Sequence, residues 1–134
     1  MKIKLLIVAL VFAFVSCKND KLDVEKAKQT AEKCLAAVDK GNYTSVINEY
    51  YSTEFASSQT PEELTDKFKK LKEVTGPMLS FELKSSDNIA ETMQESTVVL
   101  TYIVKHERVN TNEKFIIVEE GGKYKISLHA ITNE

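Results

Sequence analysis

Two tyrosines, a glutamate and a histidine in the C-terminal half of the sequence have side chains that could do chemistry. Tyr102, Glu119 and Tyr124 fall on one face of predicted strands, and His106 lies at a strand end. A carboxylate beside two phenols could bind a polar group or move a proton, given hydrogen-bond contact with its partner. Such residues also commonly form a solvated cluster at the open end of a sheet. The sequence therefore predicts either a pocket at Tyr102, Glu119, Tyr124 and His106 or a polar sheet end.

The other reactive side chains indicate structure rather than chemistry. Cys34 lies in an apolar helical stripe, where a cysteine behaves as a small hydrophobic residue, and no base is near it in sequence. His106 and His129 have no cysteine pair beside them, so they form no zinc-binding pattern. His129 is expected on the exposed strand face, opposite to that of Leu128. No catalytic residue, metal or cofactor is predicted.

The first residues have the order of an export signal. Lys2 and Lys4 precede a run without polar side chains over residues 5–15, shorter than the roughly 20 residues that cross a bilayer as a helix. Residues 14–17, Phe-Val-Ser-Cys, resemble the lipobox of bacterial lipoproteins. In that family the cysteine is acylated and becomes the mature N-terminus.

This resemblance implies a division of the sequence into three parts. Residues 1–16 are expected to be a signal peptide, Cys17 to carry the lipid, residues 17–21 to form a tether, and residues 22–134 to form one domain. Acyl chains such as palmitate would anchor the protein stably to a membrane. Lys18 favours the outer membrane of a bacterial envelope, on the periplasmic side or the cell surface.

The charge balance argues against a nucleic-acid partner. The sequence has 20 acidic and 18 basic residues, a net charge of −2. Nucleic-acid-binding domains carry a basic patch or stripe. The densest lysine cluster, within residues 67–72, is mixed with acidic residues on a predicted helix, which is typical of a solvated helix face.

Three helices are predicted at the start of the domain. Apolar residues recur at helical spacing from Val24 to Val38, with Asp20 or Asp23 as the cap and Gly41 at the end. A weaker helical segment starts near residue 43.

The third helix has the clearest boundaries. Thr60 is its expected N-cap, Pro61 takes the first helical position, and Glu63 completes a capping box. Gly76 ends it.

After Pro77 the apolar residues recur at every second position, which predicts strands. The expected strands are the alternating segment from Leu79 to Leu83, then Ser96–His106, Lys114–Glu120 and Lys123–Ile131, with a short extra strand or a loop within residues 85–95. The two-residue turn at Gly121-Gly122 pairs Phe115 with Leu128. A turn at Asn110-Thr111 places Arg108 opposite Glu113 and Tyr102 opposite Glu119.

The order of elements resembles the nuclear transport factor 2-like, or cystatin-like, cone. The residues that carry the resemblance are Ala31, Leu35, Asp39, Gly41, Tyr43, the segment Thr60-Pro61-Glu62-Glu63-Leu64, Gly76, and the segment Gly121-Gly122-Lys123-Tyr124-Lys125-Ile126. It implies an α+β fold in which three N-terminal helices pack on a curved antiparallel sheet of four or five strands. Small exported bacterial domains of unknown function share this pattern.

The fold class leaves several functions open because this cone hosts enzymes, ligand binders and dimerisation modules. We expect an envelope lipoprotein that acts as an interaction or small-ligand binding module. The alternative is a cone-fold lyase or isomerase that uses an inward Tyr/Glu cluster. Apolar residues on the sheet face away from the helices suggest an interface with a second copy or another envelope protein; they are Val99, Ile103, Ile116 and Val118, with Ile131 beside them.

Overall fold

A four-stranded antiparallel sheet and several helices make up the structure, a computed structural model that describes residues 21–90 and 95–134. The strands are neighbours in chain order: β1 (Met78–Ile89), β2 (Thr97–His106), β3 (Thr111–Glu120) and β4 (Lys123–Asn133). The predicted α+β class and antiparallel meander are confirmed. The predicted signal peptide, Cys17, most of the tether and residues 91–94 lie outside the described residues.

The first helix, α1 (Val24–Asp39), has the cap that the sequence predicts. The Asp23 carboxylate accepts hydrogen bonds from the backbone N–H groups of Glu25 and Lys26, at 2.9 and 3.3 Å. At the other end the Asp39 carboxylate accepts from the backbone N–H of Met78 at 2.9 Å. The helix is therefore held to the start of β1.

The second predicted helical segment starts at residue 43, as the sequence predicts, but it is not one regular helix. α2 (Tyr43–Ser45) continues directly into a π-helical turn (Val46–Tyr50), and a separate short helix, α3 (Thr53–Ser57), follows. The π turn closes with a bond from the Tyr51 N–H to the Val46 carbonyl at 3.0 Å. Tyr51 is then extended and forms a parallel bridge with Ile126 of β4. This interruption of the helix directs the Tyr51 side chain into the core.

The last helix, α4 (Pro61–Thr75), confirms the predicted boundaries. The Thr60 hydroxyl accepts from the Glu63 N–H at 3.1 Å, and Gly76 ends the helix with φ at +80°. A guanidinium also caps it, since Arg108 donates to the carbonyl of Glu73 at 2.7 Å. None of the helices within residues 21–90 and 95–134 has both the length and the apolar character needed to cross a membrane.

The predicted register of β2 with β3 is wrong. Tyr102 pairs with Glu113, not with Glu119, because the connection between the strands is centred between residues 107 and 108, three residues before the predicted turn. Arg108 is occupied at the end of α4 and does not face Glu113. The Asn110 side chain accepts from the backbone N–H of His106 at 3.2 Å and closes this loop.

A bulge in β4 overturns a second expectation. Pairing with β3 follows the prediction as far as Ile126, but Ser127 is an extra residue, so Phe115 pairs with His129 and not with Leu128. The bulge turns His129 towards the helices, where its side chain is 1% exposed. The predicted exposure of His129 and the inward position of Leu128 are therefore wrong, because a bulge shifts the alternation by one residue.

The core lies between the helices and one face of the sheet. The inward residues of β2 are fully buried: Val98, Leu100, Tyr102 and Val104. α1 contributes Ala27, Ala31, Cys34 and Leu35, and α4 contributes Leu64 and Phe68. In β1 the expected alternation fails at Leu79, which lies at a register shift and is 66% exposed.

Candidate functional site

The structure does not bring the predicted pocket residues together. Glu119 pairs with Tyr124 across the last hairpin, as predicted. Tyr102 is placed beside Glu113, which is six residues before Glu119 on the same strand. At ~3.4 Å per residue this separates Tyr102 from the other two by about 20 Å.

Each of these tyrosines has a structural partner of its own. Tyr102 is buried and its hydroxyl donates to Glu32 of α1 at 2.9 Å. Burial, and after it the bond and the charge of Glu32, raises the pKa of the Tyr102 phenol. The Tyr124 hydroxyl accepts from the backbone N–H of Asp23 at 2.7 Å, and Glu119 is exposed. These contacts attach α1 to the sheet.

A buried polar network on the helix-facing side of the sheet takes the place of the predicted pocket. The Tyr51 hydroxyl lies 2.9 Å from Nδ1 of His129, and Nε2 of His129 lies 2.7 Å from Oε1 of Glu113. The Thr111 hydroxyl donates to Oε2 of Glu113 at 3.0 Å. His106, one of the predicted residues, lies 3.3 Å from Thr111. This network crosses β2, β3 and β4.

The hydrogen-bond partners fix the tautomer of His129. Nε2 donates to the carboxylate of Glu113, so Nδ1 of the neutral ring accepts from the Tyr51 hydroxyl. Burial raises the pKa of the Tyr51 phenol, and the charge of Glu113 acts in the same direction. Tyr51 is therefore held as a protonated donor.

The other end of the network reaches His106 through Thr111. Nδ1 of His106 lies 3.2 Å from the carbonyl oxygen of Gly76, which can only accept, so Nδ1 carries a proton and donates to it. Nε2 of His106 lies 3.3 Å from the Thr111 hydroxyl, which donates its proton to Glu113. Thr111 thus connects His106 with the Glu113 carboxylate.

Aromatic packing holds the histidine of the network in place. The Phe115 ring stacks on His129 with centroids 4.3 Å apart and planes at 20°. Phe68 of α4 lies on it at 6.3 Å, and the Tyr51 ring meets its edge at 6.1 Å. His129 is fixed by packing as well as by hydrogen bonds.

A cavity of about 360 Å³ borders this network between α3, α4 and β4. We call it the α3–α4 cavity. Most of its lining is apolar or aromatic, with a few polar side chains; it consists of Tyr51, Phe55, Gln59, Leu64, Lys67, Phe68, Leu71, His129 and Ile131. Its size and lining are those of small-molecule sites, which measure about 300–1,000 Å³.

A second, much smaller cavity of about 30 Å³ lies at the other end of the network. His106 and Glu113 line it together with Asp39 at the end of α1. The rest of its lining is mostly apolar and includes Leu35, Val38 and Phe68. The network therefore runs between two cavities.

Cys34 has the structural role that the sequence predicts. Its thiol is fully buried in the core. Burial, and after it the charge of Glu113, raises the pKa of this thiol, which suppresses the thiolate needed for nucleophilic chemistry. Within the described residues no group of three or more His, Cys, Asp or Glu side chains is arranged to hold a metal ion.

The predicted interface residues lie on the strands away from the fully buried positions. Val99, Ile103 and Ile116 are half-buried, and Val118 is 6% exposed. The large apolar side chains that are exposed in the described residues lie elsewhere and include Val74 and Leu79. The predicted place of Ile131 beside them is wrong: Ile131 packs against the core and lines the α3–α4 cavity, because the bulge in β4 shifts the alternation by one residue. For Val99, Ile103, Ile116 and Val118 the interface stays a prediction.

Sequence reasoning missed Tyr51, Glu113 and His129. A signal for Glu113 was present, because it shares the strand parity of Phe115, which predicts an inward side chain. Tyr51 and His129 depend on a π turn and a bulge, which leave no periodic signal. No family model and no curated protein matches this chain.

Proposed function

We propose that this protein is a small-ligand binding module of a lipid-anchored envelope protein, with the α3–α4 cavity as its site. The observation that carries the proposal is a cavity of about 360 Å³ with aromatic and aliphatic walls beside a buried, hydrogen-bonded network. Ligand sites combine an apolar lining with a few placed polar groups. The Tyr51–His129–Glu113 bonds preorganise one wall, which reduces the entropy lost on binding.

The state of Tyr51 favours binding over catalysis. A general base needs a pKa near the working pH, whereas the pKa of Tyr51 is raised by burial. Its hydroxyl is already bound to His129. These groups shape and stiffen the wall of the site.

The proposal extends to the fold family and the cellular address. A four-stranded antiparallel sheet with a core and a cavity on its helix-facing side supports a nuclear transport factor 2-like cone. The apolar start of the sequence and the Phe-Val-Ser-Cys segment ending at Cys17 support an outer-membrane lipoprotein.

Filling the cavity tests the binding site. The probe is phenylnaphthylamine, a neutral aromatic molecule whose fluorescence rises in apolar surroundings, titrated into the mature chain from residue 17 with C17S to remove the lipid. Ile131→Trp places an indole in the cavity and should abolish binding, whereas Val74→Trp, at an exposed position outside it, should not. Equal binding by wild type and Ile131→Trp would refute the site. A ligand-free dimer in native mass spectrometry would instead support interaction through the outer sheet face.

A lyase or isomerase is the second candidate, because the structure does contain an inward Tyr/Glu cluster with a histidine between its members. It differs from the cluster predicted from sequence. In such an enzyme the Tyr51 hydroxyl would turn its proton from Nδ1 of His129 to the ligand. Solvent deuterium incorporated at carbon into a recovered ligand, and lost in Tyr51→Phe, would favour this candidate over the binding module.

A further inference from the structure

Gln59, one of the residues that line the α3–α4 cavity, has an unsatisfied hydrogen-bond acceptor. Its side chain lines the cavity, and its Oε1 is buried without a hydrogen-bond partner among the described residues. A buried orphan acceptor costs free energy that a donor recovers. The terminal torsion of a glutamine is broad, so the amide can turn its oxygen towards a donor in the cavity. The site therefore favours a ligand with an N–H or O–H group.

Lys67 gives the cavity its charge. It is the cationic side chain of the lining, and no lining residue is acidic. Glu63 lies one helical turn before it, yet Lys67 forms no ion pair within residues 21–90 and 95–134. Glu113 stands behind His129, with its two carboxylate oxygens bound to His129 and Thr111. An anionic group on the ligand would meet Lys67 without a competing carboxylate in the wall.

Aromatic rings set the shape of the ligand. Tyr51 and Phe55 have centroids 4.7 Å apart at 57°, and Phe68 lies 6.3 Å from His129 at 36°. All four line the cavity. Ring faces and edges attract flat aromatic groups in offset or edge-on geometry.

We propose that the α3–α4 cavity binds a flat aromatic anion that carries one hydrogen-bond donor. The rings hold its body, Lys67 holds its anionic group, and the Gln59 amide oxygen accepts from its donor. This inference rests on the proposed function and adds the chemical class of the ligand.

Two matched probes test the class. Anilinonaphthalene sulfonate has the rings and N–H of phenylnaphthylamine and adds one sulfonate. Both are titrated by fluorescence into the mature C17S chain. Lys67→Gln should weaken the sulfonate probe about three- to fivefold, the limit for a partly exposed ion pair, and leave the neutral probe within about twofold. Lys70→Gln, on the same helix outside the lining, is the control and should change neither.

The Gln59→Leu variant tests the hydrogen-bond donor of the ligand, because it replaces the amide oxygen that would accept with an apolar side chain of similar size. Both probes carry the N–H, so both should weaken to the same extent. If Gln59→Leu binds both probes as tightly as wild type or more tightly, the inference that the ligand carries a hydrogen-bond donor is wrong. Equal affinity of the sulfonate probe for wild type and Lys67→Gln would overturn the anionic class. If Ile131→Trp still abolishes binding in either case, the proposed function stands; if Ile131→Trp has no effect, the proposed function itself fails.

Discussion

The pair formed by Glu113 and His129 provides a direct test of the buried network. Their side chains are 5% and 1% exposed and lie 2.7 Å apart. We predict that His129→Leu strongly destabilises the fold, because the Glu113 carboxylate keeps only the hydroxyl of Thr111 as a donor. Tyr51 also loses its partner, but it borders the α3–α4 cavity, where water can replace the imidazole.

The magnitude follows from the burial of the pair. His129→Leu removes one of the two donors of a buried carboxylate and should cost about 3 kcal/mol, the upper end of the range for a buried polar group left unsatisfied. Glu113→Met leaves the imidazole N–H without an acceptor and should cost about 1–3 kcal/mol. Replacement of both partners by apolar residues of similar shape is nearly neutral, so the double variant Glu113→Met/His129→Leu should be more stable than His129→Leu alone. The single costs sum to about 4–6 kcal/mol, so the expected coupling between the two positions is at least about 2 kcal/mol.

Urea unfolding of the mature C17S chain, followed by circular dichroism, measures these free energies. The midpoints should shift without a change in the denaturant slope. Domains of this kind are stable by about 5–15 kcal/mol, so His129→Leu removes a large share of the total. Additive single effects, or a cost below about 1 kcal/mol for His129→Leu, would refute the buried pair.

Four further predictions test separate parts of the structure. Cys34 should resist iodoacetamide at pH 8 in the folded chain and react fully in urea, because it is buried and its pKa is raised by that burial. Cys17→Ser should abolish incorporation of a labelled palmitate in a bacterial host and release the protein from the membrane fraction. Arg108→Ala should lower the free energy of unfolding in urea by about 1–2 kcal/mol, since its guanidinium bonds to the last carbonyls of α4 are lost. Deletion of Ser127 should cost only about 1 kcal/mol, because it removes one bond and leaves its neighbours on their present faces; a loss above about 3 kcal/mol would indicate that Leu128 faces the helices.

Elements whose ends are fixed by capping or turn residues nearby in the chain could be predicted from the sequence. The Thr60 cap, the proline at the first position and Gly76 fix both ends of α4 through contacts with near neighbours in the chain. The Gly121-Gly122 turn likewise fixes the first pairs of β3 with β4, because a two-residue hairpin admits one register. In both cases the determining interactions span only a few residues.

Registers set by distant contacts could not be predicted in this way. Arg108 favours a cross-strand pair with Glu113 when only the two strands are considered. In the fold its guanidinium instead satisfies carbonyls at the end of α4, more than thirty residues earlier in the chain. Charge-assisted bonds to several helix carbonyls outweigh one exposed pair, whose contribution is about 0.2–1 kcal/mol. The predicted Tyr102–Glu119 neighbourhood failed for this reason.

The candidate site depends on two irregularities of the backbone. The π turn before Tyr51 and the bulge at Ser127 each add a residue to a regular element, and each turns one polar side chain inward. Burial of those side chains costs free energy unless both find partners, and they find each other. A regular helix and a regular strand would have left His129 facing away from Glu113. Because such irregularities occur often at functional sites, their convergence on one wall of the α3–α4 cavity supports ligand binding there over a role in stability alone.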